Sequence, residues 1–567
     1  MTYRLFERAE YPFLPEVTIS AFTETGIAES SIIVPLQRAY TGRKPVISSR
    51  LADTLTPCAT LGTQGLLDRL NITLGTSFSL DNPFLSSLLE DCITKDYDFG
   101  MTYGHLRQTW YTDNWSTIRD ELCRRGEKDG ERRRKALIGN QIVDTWLPPR
   151  RVWDLYSNRV VPYWIMNTDS KYHHWPRPIS HAWMDEKDRT AVWTPINGYE
   201  WPVPIPKDAD LNLIRIEMLN LGLVYVWLDV LCLRQVGGPG EDIRTEEWKL
   251  DVPTIGGVYN TGSGDPVCYL SGLGQPLTLK EGDLESDRSW FRRAWILQEV
   301  GYRMEIAGDT LDGPLHAEPV DDDGNYENEL LTKFHEQLQS AYQMSSQVCA
   351  TALVEMQKRV STNPVDKVAG LAILMMSESI PAYYESVSLE EAWTALVNSM
   401  NEFFRGELFL YAEPGDGGPK WRPSWEQVMR PLRLYHYGVK WPCDVGVDRD
   451  ETRNEDSCNT ECIEGLVRGL AVVEGGHRHG EFIVECNDGI ARFKITAVHT
   501  YPIHEDTYTM IHIGHVWNGD PLDHAWVVGQ SLPGGKFEKV SVLEISEEEQ
   551  CKLQDLGITK KRRYVLI

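Results

Sequence analysis

A carboxylate, an aromatic ring and a guanidinium group occur at helical spacing near the middle of the chain. Arg292, Trp295 and Glu299 stand at positions i, i+3 and i+7 of a segment whose pattern predicts a helix over residues 290–302. On one helix face, these groups could line one cleft, where a carboxylate can stabilise a developing positive charge. The alternative is that Glu299 pairs with Arg303 one turn on, a contact worth about 0.5 kcal/mol on a helix surface.

Other polar residues follow segments that are predicted to be strands. Residues 223–228 form a continuous apolar run that ends in Asp229, which is typical of a strand buried on both faces. Ligands of open parallel sheets bind beyond the carboxyl ends of the strands, so Asp229 is a candidate binding residue. Its alternative role is a cap for backbone donors. Trp183 and Trp227 are expected to belong to the core, because large aromatic rings stabilise mostly through burial.

Thiol and metal chemistry are weaker candidates. Cys232 with His181 suggests a thiol–imidazole nucleophile, but an inert cysteine buried after a core strand is the expected alternative. The spacing of a further group of possible zinc ligands is irregular for a structural site, so we expect no metal. These residues are Cys458, Cys462, His477 and His479.

Composition excludes several classes of partner. The chain carries 57 Lys and Arg against 83 Asp and Glu, a formal net charge of -26, which disfavours nucleic acid as a partner. No segment reaches the roughly 18 apolar residues needed to cross a bilayer, and residues 1–11 lack the apolar region of a secretory signal. Eleven scattered cysteines, an odd number, fit reduced thiols. We therefore expect a cytoplasmic protein with no membrane span.

The 567 residues exceed what one core accommodates, and the patterns divide the chain into regions. Alternating strand and helix patterns in the second region predict an α/β domain with a mostly parallel sheet, including strands at 223–228 and 266–270 and a helix at 208–221. Ser388 and Glu391 predict a capping box, and residues 448–462 an acidic linker. The regions are 1–147 (irregular to about residue 80, then helical), 148–310 (α/β), 311–445 (helical) and 446–567 (β-rich).

The chain contains four motif blocks in this order: 179–183 (Ile-Ser-His-Ala-Trp), 226–235 (Val-Trp-Leu-Asp-Val-Leu-Cys-Leu-Arg-Gln), 252–259, and 293–299 (Arg-Ala-Trp-Ile-Leu-Gln-Glu). Together these blocks resemble the heterokaryon incompatibility (HET) domain of fungal proteins. The family pattern is roughly Leu-Ser-His-Arg-Trp-Gly, then Trp-Ile-Asp-x-Leu-Cys-Ile-x-Gln, then Met-x-x-Ile-Tyr, then Arg-Gly-Trp-Thr-Leu-Gln-Glu. This chain departs from it at Ala182, where the family usually has Arg, and at Met184, where it usually has Gly.

The HET domain is in turn similar to Toll/interleukin-1 receptor (TIR) domains, which implies a TIR/flavodoxin-like sheet. In TIR enzymes that cleave NAD, the catalytic glutamate lies in a Trp-Cys-Leu-x-Glu-Leu helix, and Glu299 takes that position here. The resemblance therefore implies that Glu299 is catalytic and that NAD is a substrate rather than a cofactor. The residues implied to bind the substrate, or else only to support the motif, are Ser180, His181, Asp229 and Trp295.

The resemblance also implies a role in fungal non-self recognition and regulated cell death. Two mechanisms remain open. In the first, the domain cleaves the nicotinamide glycosidic bond of NAD through an oxocarbenium-like ribosyl cation. In the second, it is a non-enzymatic module that signals through protein partners or self-association. The match at Glu299 favours the enzyme, whereas Ala182 and the lack of a recognisable basic cluster for a nucleotide favour the module.

Overall fold

The computed structural model describes residues 54–567, apart from 113, 167–174, 261–264, 301–302, 311, 344–348, 376, 378, 431–444, 472–477, 487–488, 498–500 and 513–524. The predicted irregular segment up to residue 53 and the candidate ligand His477 lie outside the described residues. The described chain forms two compact units. The first runs to Ile138 and includes Trp146–Gln343, and the second comprises Gly139–Thr145 and Met344–Ile567.

The first unit begins with α-helices. Asn82 caps one of them through its side-chain oxygen, with Pro83 at the first helical position, and Asp98 caps another in the same way. The first helix falls in a segment that the sequence predicts to be irregular. The prediction of an irregular segment is wrong. Gly62, at φ 65°, kinks the helix, so the apolar residues do not follow one helical period along the sequence. The four helices are Cys58–Leu74, Pro83–Thr94, Phe99–Leu106 and Trp115–Ala136.

A buried ion pair joins these helices to the sheet of the same unit. Arg107 donates to both carboxylate oxygens of Asp154, at 2.6 and 3.0 Å, and both side chains are fully buried. The rings of Tyr103, Tyr156 and Tyr225 surround the guanidinium within 6 Å. A bidentate pair in this setting is costly to break, because either partner alone would be a buried charge.

The centre of the first unit is a six-stranded mixed sheet, whose strands we number in chain order. Their spatial order is β6-β5-β3-β4-β1-β2. The pairs β6–β5, β5–β3 and β3–β4 are parallel, whereas β4–β1 and β1–β2 are antiparallel. The strands are β1 Arg151–Asp154, β2 Arg159–Pro162, β3 Arg177–His181, β4 Tyr225–Trp227, β5 Val267–Tyr269 and β6 Glu305–Ile306.

Among the four parallel strands, the chain turns to opposite sides after β3. The connection from β3 reaches β4 on one side, and the next connection reaches β5 on the other side of β3. Such a reversal leaves a crevice beyond the carboxyl end of the central strand. The antiparallel hairpin β1–β2 extends the parallel part, so the sheet is mixed rather than mostly parallel as the sequence predicts.

The connections contain helices and one ribbon. Arg189–Val192 pairs with Val203–Pro206 in a two-stranded antiparallel ribbon between β3 and β4. The helix predicted at 208–221 spans Leu211–Asn220, with Asp210 as its cap. Three further helices lie between β4 and β5, one lies between β5 and β6, and one follows β6. In this order they are Asp229–Cys232, Glu241–Asp251, Ile255–Asn260, Ile296–Glu299 and Glu329–Gln343.

The predicted continuous helix at 290–302 is wrong. Trp290–Arg292 forms a single 3-10 turn, Arg293 is extended (φ −76°, ψ 137°), and Ile296–Glu299 is a separate single turn. The apolar spacing is helical, but the backbone changes direction at Arg293. Arg292, Trp295 and Glu299 therefore do not share one helix face.

The second unit contains helices and a closed sheet. Ser388 accepts from the backbone of Glu391, whose carboxylate accepts from the backbone of Ser388, so the predicted capping box is confirmed. Gln141–Ile142 pairs with Ile380–Pro381. The helices are Cys349–Gln357, Val365–Ala369, Leu389–Ser399, Glu402–Phe409, Trp425–Val428 and Glu547–Leu556.

Six antiparallel strands of this unit pair in a closed ring. The interior is packed with apolar side chains that include Phe482, Phe493, Trp526 and Leu543. The prediction of a linker at 448–462 is wrong, because most of these residues belong to the first strand of the ring. In ring order the strands are Glu455–Arg468, Arg478–Cys486, Gly489–Ala497, Lys536–Ile545, Ala525–Leu532 and Asp506–His512, and Asp448–Asp450 and Lys560–Leu566 pair outside the ring.

Across the described ranges of both units, no helix combines the length and apolar character that crossing a membrane requires.

Candidate active site

Three chain segments converge at the carboxyl edge of the parallel strands in the first unit. Ser180 and His181 are the last two residues of β3, and Asp229 begins the helix that follows β4. Because β3 and β4 are parallel neighbours, their carboxyl ends lie at the same edge of the sheet. Glu299 ends the short helix that comes after β5. Segments far apart in sequence therefore bring polar groups to the crevice beside β3.

The Glu299 carboxylate is held by the end of β3. The Ser180 hydroxyl donates to Glu299 Oε2 at 2.6 Å, and the Trp290 indole N–H donates to Ser180 Oγ at 2.9 Å. An indole nitrogen can only donate, so Ser180 accepts from Trp290 and directs its own hydrogen to the carboxylate. Trp290 is buried, and its role was not predicted from the sequence. The helical pattern at 290–302 concealed the turn that carries its ring towards β3.

His181 and Asp229 form a second pair next to the first. His181 Nε2 lies 2.9 Å from Asp229 Oδ1, and Nδ1 lies 3.3 Å from the Ala182 carbonyl. Burial alone would lower the pKa of His181, but the Asp229 carboxylate outweighs this and raises the pKa above its ordinary value. Although burial opposes ionisation of Asp229, His181 and the Val230 backbone N–H lower the pKa of that carboxyl. The pair is thus favoured in its charged form.

The pKa of the Glu299 carboxyl is shifted in the opposite direction to that of Asp229. Its removal from water raises its pKa to about 7, and the nearby Asp229 charge adds to the rise. The Ser180 hydrogen bond, His181 and Arg293 act in the other direction and favour the carboxylate. The two acidic groups of the site therefore differ, since the pKa of Asp229 is lowered and that of Glu299 is raised to about 7. Such separation between neighbouring acids is common in catalytic sites.

The two residues at the end of β3 and the two acidic residues differ in solvent exposure. Ser180 and His181 are buried, whereas Glu299 and Asp229 are partly exposed, and 21% of the Asp229 side chain is accessible. The Asp229 side chain thus keeps a surface that a ligand can reach. Trp295 immediately precedes the short helix and is half-buried.

Two sequence-based expectations for this segment are not met. Arg292 forms an ion pair with Asp287 at 3.2 Å instead of sharing a helix face with Glu299. Arg303 is exposed, and among the described residues the hydrogen-bond partner recorded for the Glu299 side chain is Ser180 rather than Arg303. The surface ion pair considered as the alternative role of Glu299 is therefore replaced by a contact with β3.

Basic side chains gather around Trp183, a residue that the sequence assigns to the core. The Trp183 ring is half-buried, with the Arg189 guanidinium 5.0 Å and the Arg293 guanidinium 5.9 Å from its centroid. The His181 ring stacks on it at 5.7 Å. Ala182, at the position where relatives of the resembled family carry Arg, is buried. The sequence concealed this cluster because Arg189 lies outside every motif. Trp227, by contrast, is buried as expected.

The thiol and metal alternatives have little support in this geometry. Burial raises the pKa of Cys232 to about 12, so its thiol stays protonated at neutral pH, and the His181 ring nitrogens are engaged by Asp229 and Ala182. Within the described ranges, no group of three or more His, Cys, Asp or Glu side chains is arranged to hold a metal ion.

Comparison of the chain with family models, with curated proteins and with solved structures gave no match.

Proposed function

We propose that this protein cleaves NAD at the nicotinamide glycosidic bond, with Glu299 as the catalytic residue. The observation that carries the proposal is the placement of Glu299: this partly exposed residue ends the short helix after β5, and its carboxylate accepts a 2.6 Å hydrogen bond from the Ser180 hydroxyl at the end of β3. This position is where parallel α/β sheets bind their ligands. The resemblance of residues 293–299 to the catalytic helix of NAD-cleaving TIR enzymes supplies the substrate.

The chemistry suits a single carboxylate. Nicotinamide in NAD is bonded to ribose through a positively charged ring nitrogen, so it departs as a neutral molecule that takes the bonding electron pair and requires no proton. Positive charge develops on the ribosyl carbon and ring oxygen, and an ionised Glu299 stabilises or traps this cation. Water then adds to the same carbon and releases a proton, which gives ADP-ribose. The His181–Asp229 pair holds the neighbouring end of β3 and keeps Asp229 from competing as a free anion.

The proposal includes a TIR/flavodoxin-like fold for the first unit. Numbered among themselves, the parallel strands β3, β4, β5 and β6 have the spatial order 2-1-3-4, which is the order at the start of flavodoxin-like sheets. With the four motif blocks, this order supports a HET-type effector of fungal non-self recognition and regulated cell death. We propose the cytoplasm as its location, because eleven scattered cysteines, an odd number, fit reduced thiols.

Nicotinamide release from NAD tests the proposal. Wild-type protein at high concentration, with oligomerisation enforced by a fused assembly domain, is expected to release nicotinamide, and Glu299→Gln is expected to abolish release while it retains the wild-type melting temperature. Glu281→Gln, which removes an exposed carboxylate elsewhere in the same unit, is the matched control and should keep full activity. A Glu299→Gln protein as active as wild type would contradict the proposal.

A second candidate function is a non-enzymatic assembly module. The specific observation in its favour is Ala182, whose buried methyl group offers no charge where the resembled family carries Arg. In that case wild type and Glu299→Gln are equally inert towards NAD, and both associate with themselves or with protein partners to the same extent. Sedimentation of the two proteins side by side distinguishes this outcome from catalysis.

A further inference from the structure

The basic cluster around Trp183 adjoins the two carboxylates of the candidate site. Arg293 connects the two features, since its guanidinium lies 5.9 Å from the Trp183 centroid and its charge favours the ionised forms of both Asp229 and Glu299. Arg189 lies 5.0 Å from the same centroid. Because both distances end at one ring, the two guanidinium groups are within about 11 Å of each other.

Arg189 is well placed for a ligand rather than for an internal ion pair. It sits at the start of the ribbon strand Arg189–Val192, paired through its backbone with Pro206. The neighbouring acids Asp185 and Asp188 are both paired with Arg288. In the part of the chain that the structure describes, the Arg189 guanidinium contacts the Trp183 ring and no carboxylate. Its five N–H donors are a fork that suits phosphate oxygens.

The net negative charge of the chain makes a local cluster of arginines important for binding an anion. A chain of net charge -26 repels anions on average, so an anionic substrate needs a local positive field to approach. Arg189 and Arg293 supply positive charge beside the candidate site, since both guanidinium groups lie within 6 Å of the Trp183 centroid. Contact with the flat Trp183 ring also limits the rotamers of a guanidinium group, so less entropy is lost when the group binds oxygen atoms.

We propose that Arg189 and Arg293, arranged about the Trp183 ring, bind the pyrophosphate of a nucleotide whose ribosyl carbon faces Glu299. This inference rests on the proposed function for the identity of the reacting bond, and it deepens that function by assigning the phosphate-binding residues. Arg189 is a binding residue from outside the motif blocks.

Calorimetric binding to the full-length protein tests the proposal without any turnover. The probes are ADP-ribose, inorganic pyrophosphate and adenosine, which share the phosphate group or the nucleoside but lack the nicotinamide bond. Wild type is expected to bind ADP-ribose more tightly than pyrophosphate, and Arg189→Gln is expected to weaken ADP-ribose binding about tenfold or more, since hydrogen bonds to charged groups have this magnitude. Adenosine binding should be unchanged by the substitution.

Two further variants sharpen the test. Arg189→Lys keeps the charge but loses the fork, so its ADP-ribose affinity is expected to lie between those of wild type and Arg189→Gln. Arg134→Gln removes an exposed arginine from the helix Trp115–Ala136 and should bind as wild type does. If Arg189→Gln fails to fold, as shown by its melting curve, the comparison of Arg189→Lys with wild type decides.

The outcomes separate this inference from the proposed function. ADP-ribose binding that depends on Arg189, in a protein that does not cleave NAD, supports the phosphate site and refutes the hydrolase. NAD cleavage with ADP-ribose affinity unaffected by Arg189→Gln supports the hydrolase and overturns the phosphate site. Absence of binding by wild type also overturns it. Equal affinity for pyrophosphate and ADP-ribose overturns the assignment to a nucleotide.

Discussion

The Ser180 hydroxyl donates a 2.6 Å hydrogen bond to the Glu299 carboxylate, although 119 residues separate them in sequence. The contact joins the end of β3 to a single helical turn that would have little stability alone. It also favours the ionised form of a carboxyl that burial would otherwise keep protonated. Position and ionisation of Glu299 thus depend on the same atom.

Ser180→Ala removes this donor and is expected to raise the pKa of Glu299 above about 7. A charge-assisted hydrogen bond contributes on the order of 1.5 kcal/mol, which corresponds to about one pH unit. Since the ionised form is the active one, the rise of NAD cleavage with pH should move to higher pH by that amount. Initial rates between pH 5 and 9 measure it. A profile that coincides with that of wild type would contradict the role of Ser180.

Trp290→Phe removes the N–H that orients the Ser180 hydroxyl, and it leaves an aromatic ring in place. We expect a lower kcat with little change in KM, and an altered pH profile, because Ser180 can then rotate away from Glu299. Trp110→Phe is a matched control, as Trp110 is equally buried and donates to the Thr76 hydroxyl at the same 2.9 Å. Similar loss of stability in both variants, with the pH profile altered in Trp290→Phe alone, is the expected result. Identical profiles would show that Trp290 acts only through packing.

Asp229→Asn is expected to destabilise the protein by about 2 kcal/mol at pH 6, because it removes the charged partner of buried His181. The raised folded pKa of His181 means that its contribution is present below about pH 6.5 and is lost as the pH rises through the folded value. The lowered pKa of Asp229 makes its own contribution constant over this window, since it is lost only in acid. The stability difference should therefore shrink between pH 6 and pH 9.

Urea unfolding of both proteins at the two pH values measures this difference. Asp309→Asn is a comparison, because Asp309 contacts His316 at 3.0 Å but that histidine is 38% exposed. The change in its effect between pH 6 and pH 9 should be smaller, as water screens the exposed histidine. A difference between wild type and Asp229→Asn that grows with pH would refute the assigned charge state of His181.

Asp154→Asn is expected to destabilise the first unit by about 3 to 5 kcal/mol, since it removes the carboxylate charge from a fully buried ion pair with Arg107. Asp91→Asn provides the contrast. Asp91 pairs with Arg119 on the surface, where 54% of the arginine side chain is exposed, so the loss should be below about 1 kcal/mol. Chemical denaturation compares the two variants. Equal losses of stability in the two variants would mean that the buried Arg107–Asp154 pair does not stabilise the packing of the helices on the sheet.

The sequence predicts several elements of the fold. A continuous apolar run indicated the strand before Asp229, and the structure has Tyr225–Trp227 there. The helix at Leu211–Asn220 and the capping box at Ser388 were also predictable, because each depends on local spacing and on a side chain that caps its own helix. Asp229 does accept from the Val230 N–H, as its capping alternative requires, and it contacts His181 as well.

The contacts within the site were not predictable, because they depend on where separate segments meet. Residues 290–302 have helical spacing, yet the extended Arg293 turns the backbone and brings Trp290 to Ser180. Arg189 belongs to none of the motif blocks. The antiparallel ribbon Arg189–Val192 with Val203–Pro206 positions it over the Trp183 ring. One-dimensional periodicity contains no information about such junctions, which are decided by tertiary packing.

The pH dependence of nicotinamide release from NAD, in wild type and in Glu299→Gln, tests the central claim most directly. In wild type, the rate is expected to rise through a pH of about 7 as Glu299 ionises. In the folded Glu299→Gln protein, release should be absent at every pH, because glutamine carries no charge to stabilise the ribosyl cation. Release by Glu299→Gln at the wild-type rate, or a wild-type rate that does not change between pH 5 and 9, would contradict the account.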